Sequence, residues 1–143
     1  MAAPISTQFA MAVHVLVLLA QPSERHQTSE TLSTSVGSNP VHLRRILGRL
    51  RKSGLVASRP GRSGGWVLLH PAEEVTLAEV WAACAGDQIL GLHEANPSCE
   101  VGHRVHGQLL DLDARAREAI EAELERTTIA DLISAAEYAT VPR

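Results

Sequence analysis

The sequence predicts a mainly α-helical fold with one small β-hairpin and a long C-terminal helix. Apolar residues recur three and four positions apart in several segments, and most of these segments begin at residues that cap helices. One glycine-rich turn separates two short strand-like runs. Charge is also segregated along the chain, because residues 31–72 contain seven basic residues and no Asp or Glu. The whole chain has a net charge of −3, so the residues outside this block carry a net charge of −10. Such a cationic block favours an anionic partner, above all a phosphate backbone.

Size and composition limit the class of protein. A chain of 143 residues that is 45% hydrophobic forms one domain, or one small domain with an appended element. Aromatic residues make up only 3%, which disfavours holding bases by stacking on rings. The longest apolar stretch, 9–20, is too short to cross a membrane. Two cysteines do not make a disulfide framework, so we expect a cytoplasmic protein with reduced thiols and no membrane partner.

The first two helices are predicted from their caps. Residues 5–7 offer an N-cap for a helix over 9–19, which is apolar nearly all round. We expect this helix to be deeply buried, with His14 as a core histidine. Thr28 caps a short second helix, and a tight turn at 37–38 follows it.

The third helix has the clearest pattern. Asn39 is an N-cap with Pro40 at the first helical position, and Gly54 ends the helix. Four apolar residues follow the i, i+3, i+4, i+7 spacing and must face the core: Leu43, Ile46, Leu47 and Leu50. At about 100° per residue, the opposite face presents mostly basic residues. These are Val41, Arg45, Gly48, Arg49 and Lys52.

A β-hairpin follows the third helix directly. Residues 55–59 and 66–69 form two strands around a glycine-rich tip at 60–65, with Arg59 at its base and Arg62 in the tip. A short helix, a turn, a helix with a basic outer face and a basic hairpin are together typical of a winged helix-turn-helix. In that layout the second helix of the motif enters the major groove. A flexible cationic tip suits the minor groove.

The C-terminal part contains the longest helix. A capping box at 76–79 opens a fourth helix, and residues 86–98 are irregular. A helix over 101–126 would be roughly 39 Å long, which exceeds what so small a domain needs for its own core. We therefore predict that part of its apolar stripe pairs with a second copy to form a two-fold dimer. The residues predicted for dimerisation are Val105, Leu109, Leu112, Ala116 and Ile120.

The candidate DNA-binding residues lie on the third helix and the hairpin. A solvated helix face normally interleaves acidic residues for i, i+4 pairing, and none is present here. Residues at the start of the helix are expected nearest the base edges, and those near its end are expected to hold phosphates. The set is Ser38, Asn39, Val41, His42, Arg44, Arg45, Arg49, Arg51, Lys52, Arg59, Arg62 and Gly64. The alternatives are a solvated helix face and an ordinary hairpin turn.

Several sequence blocks resemble those of one family. "ISTQFAMAVHVL", "NPVHLRRILGRLRKSGLV", "SRPGRSGGW", "VTLAEVWAA", "NPSCEVG" and "RTTIADL" resemble, in order, the blocks of the Rrf2 family of bacterial winged-helix transcription regulators. The likeness covers nearly the whole chain, is most specific over 39–66, and is nearest to the YwnA-like subgroup. It implies an N-terminal DNA-binding domain, a long C-terminal dimerisation helix and, in many members, repression of metabolic or stress genes.

Two departures from the family pattern concern the cofactor and the wing. Members that bind an iron–sulfur cluster carry three cysteines before the dimerisation helix, where this chain has only Cys99. Their additional acidic ligand matches Ala10, which cannot ligate, so the resemblance implies no cofactor here. Relatives also usually have Arg before the first wing glycine, where this chain has Pro60 with Arg59 and Arg62 on either side.

Three residues are candidate sensors. Cys99 lies just before a predicted helix and is a candidate for reaction with oxidants or electrophiles. Cys99, His103 and His106 are spaced i, i+4, i+7, but no obvious fourth ligand accompanies them, so a structural cysteine with two surface histidines is favoured over a metal site. His14 and His93 are the candidates for lining an effector pocket near the dimer joint.

Together these patterns predict a homodimeric transcription regulator, in the first place a repressor, that reads a pseudo-palindromic operator in double-stranded DNA and responds to a small effector. Its DNA-binding domain spans 1–85, and a linker loop, the dimerisation helix and a final helix span 86–143. Enzyme motifs are lacking: there is no phosphate-cradling loop and no nucleophile motif. The alternatives are a protein-interaction module that docks an acidic partner and a redox- or metal-responsive sensor that uses Cys99.

Overall fold

A computed structural model of the protein describes residues 5–23 and 26–139. The described chain confirms a mainly helical fold with one two-stranded antiparallel hairpin. Its helices are α1 (Ile5–Ala20), α2 (Ser29–Val36), α3 (Pro40–Lys52), α4 (Leu77–Cys84), α5 (Glu100–Leu124) and α6 (Ile129–Ala139), and its strands are β1 (Val56–Arg59) and β2 (Gly65–Leu68).

Local capping chemistry decides where four helices begin. The Thr28 hydroxyl caps α2, and the Asn39 side-chain oxygen accepts a hydrogen bond from the Val41 N–H at 2.7 Å to cap α3. Thr76 and Thr128 each exchange two hydrogen bonds with an acidic residue three positions on. A cap of this kind stabilises a helix by about 1 kcal/mol. The predicted starts of α2, α3 and α4 are therefore confirmed.

The turn between α2 and α3 depends on a glycine. Gly37 has a φ of 73°, in the left-handed region that glycine adopts without strain. Its N–H donates to the Ser33 carbonyl at 2.9 Å, which closes the last turn of α2. The two helices then pack against each other as a helix-turn-helix.

The core forms where α1, α3 and α4 meet. The four residues predicted for the inner side of α3 are at most 1% exposed, which confirms the prediction. From α1, Ala12, Val15 and Leu16 are fully buried against them. Burying one large aliphatic side chain contributes about 1.5–3 kcal/mol. This packing fixes the rotation of α3 about its axis, so its basic face must point to solvent.

Two predictions about α1 are wrong. Ser6 and Thr7 were expected to cap the helix, but they lie inside it because α1 already begins at Ile5. The helix is deeply buried along one stripe only. His14, expected in the core, is exposed together with Ala10, since both lie on the side of α1 that the rest of the domain does not cover.

The hairpin is fixed to the rest of the domain at its second strand. β1 and β2 pair antiparallel, with Arg59 opposite Gly65. The Trp66 N–H also donates to the Gln27 carbonyl at 2.8 Å, just before α2. A Cβ at Gly65 would lie 2.9 Å from that same carbonyl oxygen, so the glycine permits the close approach.

The loop between α4 and α5 is anchored to α5. The buried carboxylate of Asp113 accepts hydrogen bonds from the Ile89 N–H at 2.8 Å and the Leu90 N–H at 2.6 Å. Arg117 donates to the Asp87 carbonyl at 2.9 Å. The predicted irregular segment at 86–98 is confirmed as a loop, and several of its backbone groups are satisfied by side chains of α5.

Candidate nucleic-acid interface

Four residues follow one another along the outer face of α3, and we define them as the outer row: Val41, Arg45, Gly48 and Lys52. The valine and both cations are exposed, and open space surrounds the position where a Gly48 side chain would begin. The side chains of Arg45, Lys52 and the neighbouring Arg51 make no hydrogen bond or ion pair with any residue that the structure describes. These cations are therefore available to phosphates and base edges.

Arg44 lies at one edge of the outer row and has partners. Its guanidinium donates to the Glu30 carboxylate at 2.7 Å and to the Ser29 hydroxyl at 3.3 Å. A hydrogen bond from its own backbone lowers the pKa of the Glu30 carboxyl below its usual value, and the hydrogen bond from Arg44 lowers that pKa further. The ion pair is therefore present at neutral pH and is lost as pH falls through that lowered pKa. Both side chains are more than half exposed, so the pair leaves Arg44 within reach of DNA.

Arg49 lies at the other edge and connects three helices. Its guanidinium donates to the Gln8 side chain of α1 at 2.5 Å and to the carbonyl of Cys84, the last residue of α4, at 3.4 Å. The cation thus satisfies a terminal carbonyl at the negative end of α4. Arg49 is exposed, but its contacts hold α3 against its neighbours.

Burial raises the pKa of the Cys84 thiol to about 11, so this cysteine stays protonated at neutral pH.

At the start of α3, some residues cap the helix and others are exposed to solvent. Asn39 uses its side-chain oxygen as the helix cap, and the Ser38 N–H donates to the Ser33 carbonyl at 3.0 Å. His42 is half-buried at the edge of the helix. Val41, by contrast, is 56% exposed. The first turn of α3 therefore presents an apolar side chain to solvent ahead of its basic residues.

The hairpin presents two cations on a tightly closed turn. Arg59 and Arg62 are exposed and unpaired among the described residues. Gly64 is buried, and its N–H donates to the Gly61 carbonyl at 3.0 Å. A Cβ at Gly64 would lie only 2.2 Å from the Arg59 carbonyl oxygen. Gly64 therefore shapes the wing, and the arginines supply its charge.

The predicted dimerisation residues fall on two neighbouring sides of α5. Val105 and Leu112 are 42% and 45% exposed and continue a stripe that begins at Val101, which is 66% exposed. Leu109, Ala116 and Ile120 are half-buried, on the side of the helix that carries the buried Asp113. The exposed stripe lies in the first half of α5. We define the α5 stripe as Val101, Val105 and Leu112.

The three candidate sensors are all exposed but on separate elements. His14 lies on α1, His93 lies in the loop before α5, and Cys99 is the N-cap of α5. The Cys99 Sγ accepts a hydrogen bond from the Gly102 N–H at 3.3 Å. His103 contacts the Pro97 carbonyl at 2.8 Å through its Nε2 atom, which closes the loop onto the helix.

A helix-turn-helix with an unpaired cationic outer face beside a cationic hairpin defines a winged-helix DNA-binding protein. The family Rrf2, described as an iron-dependent transcriptional regulator, matches residues 5–135. The chain belongs to the Rrf2 family, and it is a transcription regulator, not an enzyme. Within 5–23 and 26–139, no helix is both long and apolar enough to span a bilayer.

Relatives and solved structures agree with this assignment. YwnA of Bacillus subtilis (strain 168), named as an HTH-type transcriptional regulator, is 30% identical over 132 residues, which are 91% of this chain and 97% of YwnA. A solved structure described as a DNA-binding protein is 28% identical with a TM-score of 0.69, over 88% of this chain and 98% of that one. The T. potens IscR structure shares the fold, with a TM-score of 0.69 at 24% identity over 100% of this chain and 95% of its own.

The residues of this chain do not fit an iron–sulfur site. Cys99 is the one thiol in the segment before α5, and Ala10 offers no ligating atom. Cys84 is buried on α4. In the part of the chain that the structure describes, no three His, Cys, Asp or Glu side chains are grouped so that they could hold a metal ion. The donor set is therefore too small for a cluster held by cysteines.

Proposed function

We propose that the protein is a homodimeric repressor that binds a pseudo-palindromic operator in double-stranded DNA. Each α3 enters the major groove of one half-site, and each wing lies on the backbone or in the adjacent minor groove. The observation that carries this proposal is the outer row, with its two unpaired cations, continued by Arg51, Arg59 and Arg62. The residues proposed to contact DNA are those named from the sequence. Two of them, Arg49 and Gly64, act mainly by shaping the surface.

The α5 stripe supports the dimer. Val101, Val105 and Leu112 are large, exposed and apolar, and they repeat four and seven positions apart on one side of a helix roughly 38 Å long. A stripe of this kind buries itself against a second copy, and two-fold symmetry makes it self-complementary. Two copies of α3, presented symmetrically, read two half-sites one helical turn apart.

The salt dependence of DNA binding tests the proposal. If at least two cations per subunit contact phosphates, four counterions are released per dimer, and log K falls against log salt with a slope of about −3.6 or steeper. Fluorescence anisotropy of an operator selected from a random pool, titrated at several salt concentrations, measures this slope. A slope near zero contradicts DNA binding through this surface. Transcription in vitro from a promoter carrying that operator shows the sign of regulation, and activation contradicts repression.

We further propose that the protein works without an iron–sulfur cluster. The support is that Cys99 is the one cysteine in the segment before α5 and that Ala10 has no ligating atom. We expect freshly purified protein to be colourless, to contain less than about 0.1 iron per chain, and to bind the operator unchanged after chelation. Stoichiometric iron with visible absorption contradicts this proposal.

A sensing role for Cys99 is a proposal that its exposure supports. Cys99→Ser is a suitable variant because serine is itself a good helix N-cap, so α5 keeps its start. Oxidant is expected to weaken operator binding by the wild type and to leave the variant unaffected. An equal response of both proteins contradicts sensing through Cys99.

A further inference from the structure

Val41 is an apolar side chain placed among cations without a packing role of its own. It is 56% exposed, and it belongs neither to the buried core nor to the partly buried residues packed against that core. Arg45 follows one turn later on the same face, and Arg44 flanks it. A single exposed valine is ordinary on a protein surface. Its position in the outer row, ahead of two unpaired cations, is what gives it a candidate function.

The first turn of α3 holds this side chain in a defined place. The Val41 N–H donates to Asn39 at 2.7 Å, and Pro40 precedes it with a fixed φ. A β-branched side chain in a helix has one strongly preferred rotamer. The two methyl groups of Val41 are therefore presented to solvent in one orientation, at the end of the helix that approaches the base edges.

The chemistry of Val41 restricts what it contacts in DNA. A valine side chain neither donates nor accepts hydrogen bonds, so a phosphate or a purine edge gains nothing from it. The major groove offers one apolar group, the C5-methyl of thymine. Cations near the end of α3 and on the wing are available to phosphates, so Val41 is not needed for a backbone contact.

We propose that Val41 is a specificity-determining residue that contacts the C5-methyl group of a thymine in each half-site. This inference rests on the proposed function and adds the base that the first turn of α3 selects. Arg45, one turn further along α3, is then placed to contact a neighbouring base pair of the same half-site.

Replacing thymine by deoxyuridine tests the inference, because it removes the methyl group and keeps every hydrogen-bonding atom. Each thymine of the selected operator is replaced in turn, in both half-sites together, and anisotropy gives the affinity. Removing one buried methyl group per half-site is expected to weaken wild-type binding about fourfold per half-site, or roughly 15-fold in total. This weakening is expected at one thymine position only, and the remaining thymines serve as internal controls.

The variant Val41→Ala completes the test. Because Val41 is exposed and alanine is a better helix former, the variant is expected to fold like the wild type. It is expected to bind the thymine and deoxyuridine operators equally at the sensitive position. If the wild type is insensitive to every replacement, or if Val41→Ala keeps the full preference for thymine, the inference is overturned while the proposed function stands. If no operator is selected and binding does not depend on salt, both are overturned.

Discussion

Replacing Leu112 by aspartate is expected to convert the protein into a monomer with little remaining affinity for the operator. Leu112 is 45% exposed in the single chain, so the new carboxylate is solvated there and the subunit keeps its fold. In a symmetric dimer the substitution places two charges in an apolar interface, which raises the dissociation constant at least about 100-fold. Analytical ultracentrifugation measures the dimer, and anisotropy measures the operator affinity, which is expected to fall with it.

Leu110→Asp is the matched control for this experiment. Leu110 is 39% exposed on the same helix, but at about 100° per residue it lies on nearly the opposite side from Leu112. The control variant is expected to remain a dimer and to bind the operator as the wild type does. If both variants dimerise normally, or if both dissociate, the α5 stripe is not the interface.

Replacing Arg45 by alanine is expected to weaken operator binding by about 5- to 150-fold per half-site and to relax the base preference at one position of each half-site. Arg45 is unpaired on the outer row, and a guanidinium that contacts a base pair contributes roughly 1–3 kcal/mol of discrimination. Lys52→Ala is expected to act differently. It weakens binding to all sequences alike and makes the salt slope shallower by about 0.9 for each phosphate that is no longer neutralised. Anisotropy with operator and mutated operators separates the two effects.

Arg126→Ala is the control for charge. It removes one positive charge just beyond α5, where the Arg126 side chain is 77% exposed, and it is expected to change neither the affinity nor the salt slope. These three alanine variants also test the alternative that the basic face docks an acidic protein. In that case Arg45→Ala leaves any DNA binding and its salt slope unchanged, which contradicts the proposed function.

Most of the fold follows from chemistry that is local in the sequence. Asn39, Pro40 and Gly37 define the helix-turn-helix because a cap, a fixed φ and a left-handed turn each act within three or four residues. The spacing of the apolar residues of α3 fixes which face is buried, and the opposite basic face follows from it. The position of the candidate DNA-binding surface was therefore predictable without knowledge of the tertiary packing.

The partners of individual arginines were not predictable in this way. The contact of Arg49 with Gln8 spans 41 positions, and its contact with the Cys84 carbonyl exists only because α3 and α4 pack together. Arg44 pairs with Glu30, which lies just outside the acid-free block. The exposure of His14 was missed for the same reason, since an apolar helix does not reveal which of its sides the rest of the chain covers.

The clamp made by Asp113 and Arg117 has a mechanical consequence. Residues 87–90 are tied to α5, and the preceding end of α4 is tied to α3 through Arg49. Tilting α3 relative to α5 would therefore require breaking the hydrogen bonds of Arg49, those of Asp113 and Arg117, or both sets. In the proposed dimer, displacing this loop would release α3 from α5 and so alter the separation of the two copies of α3.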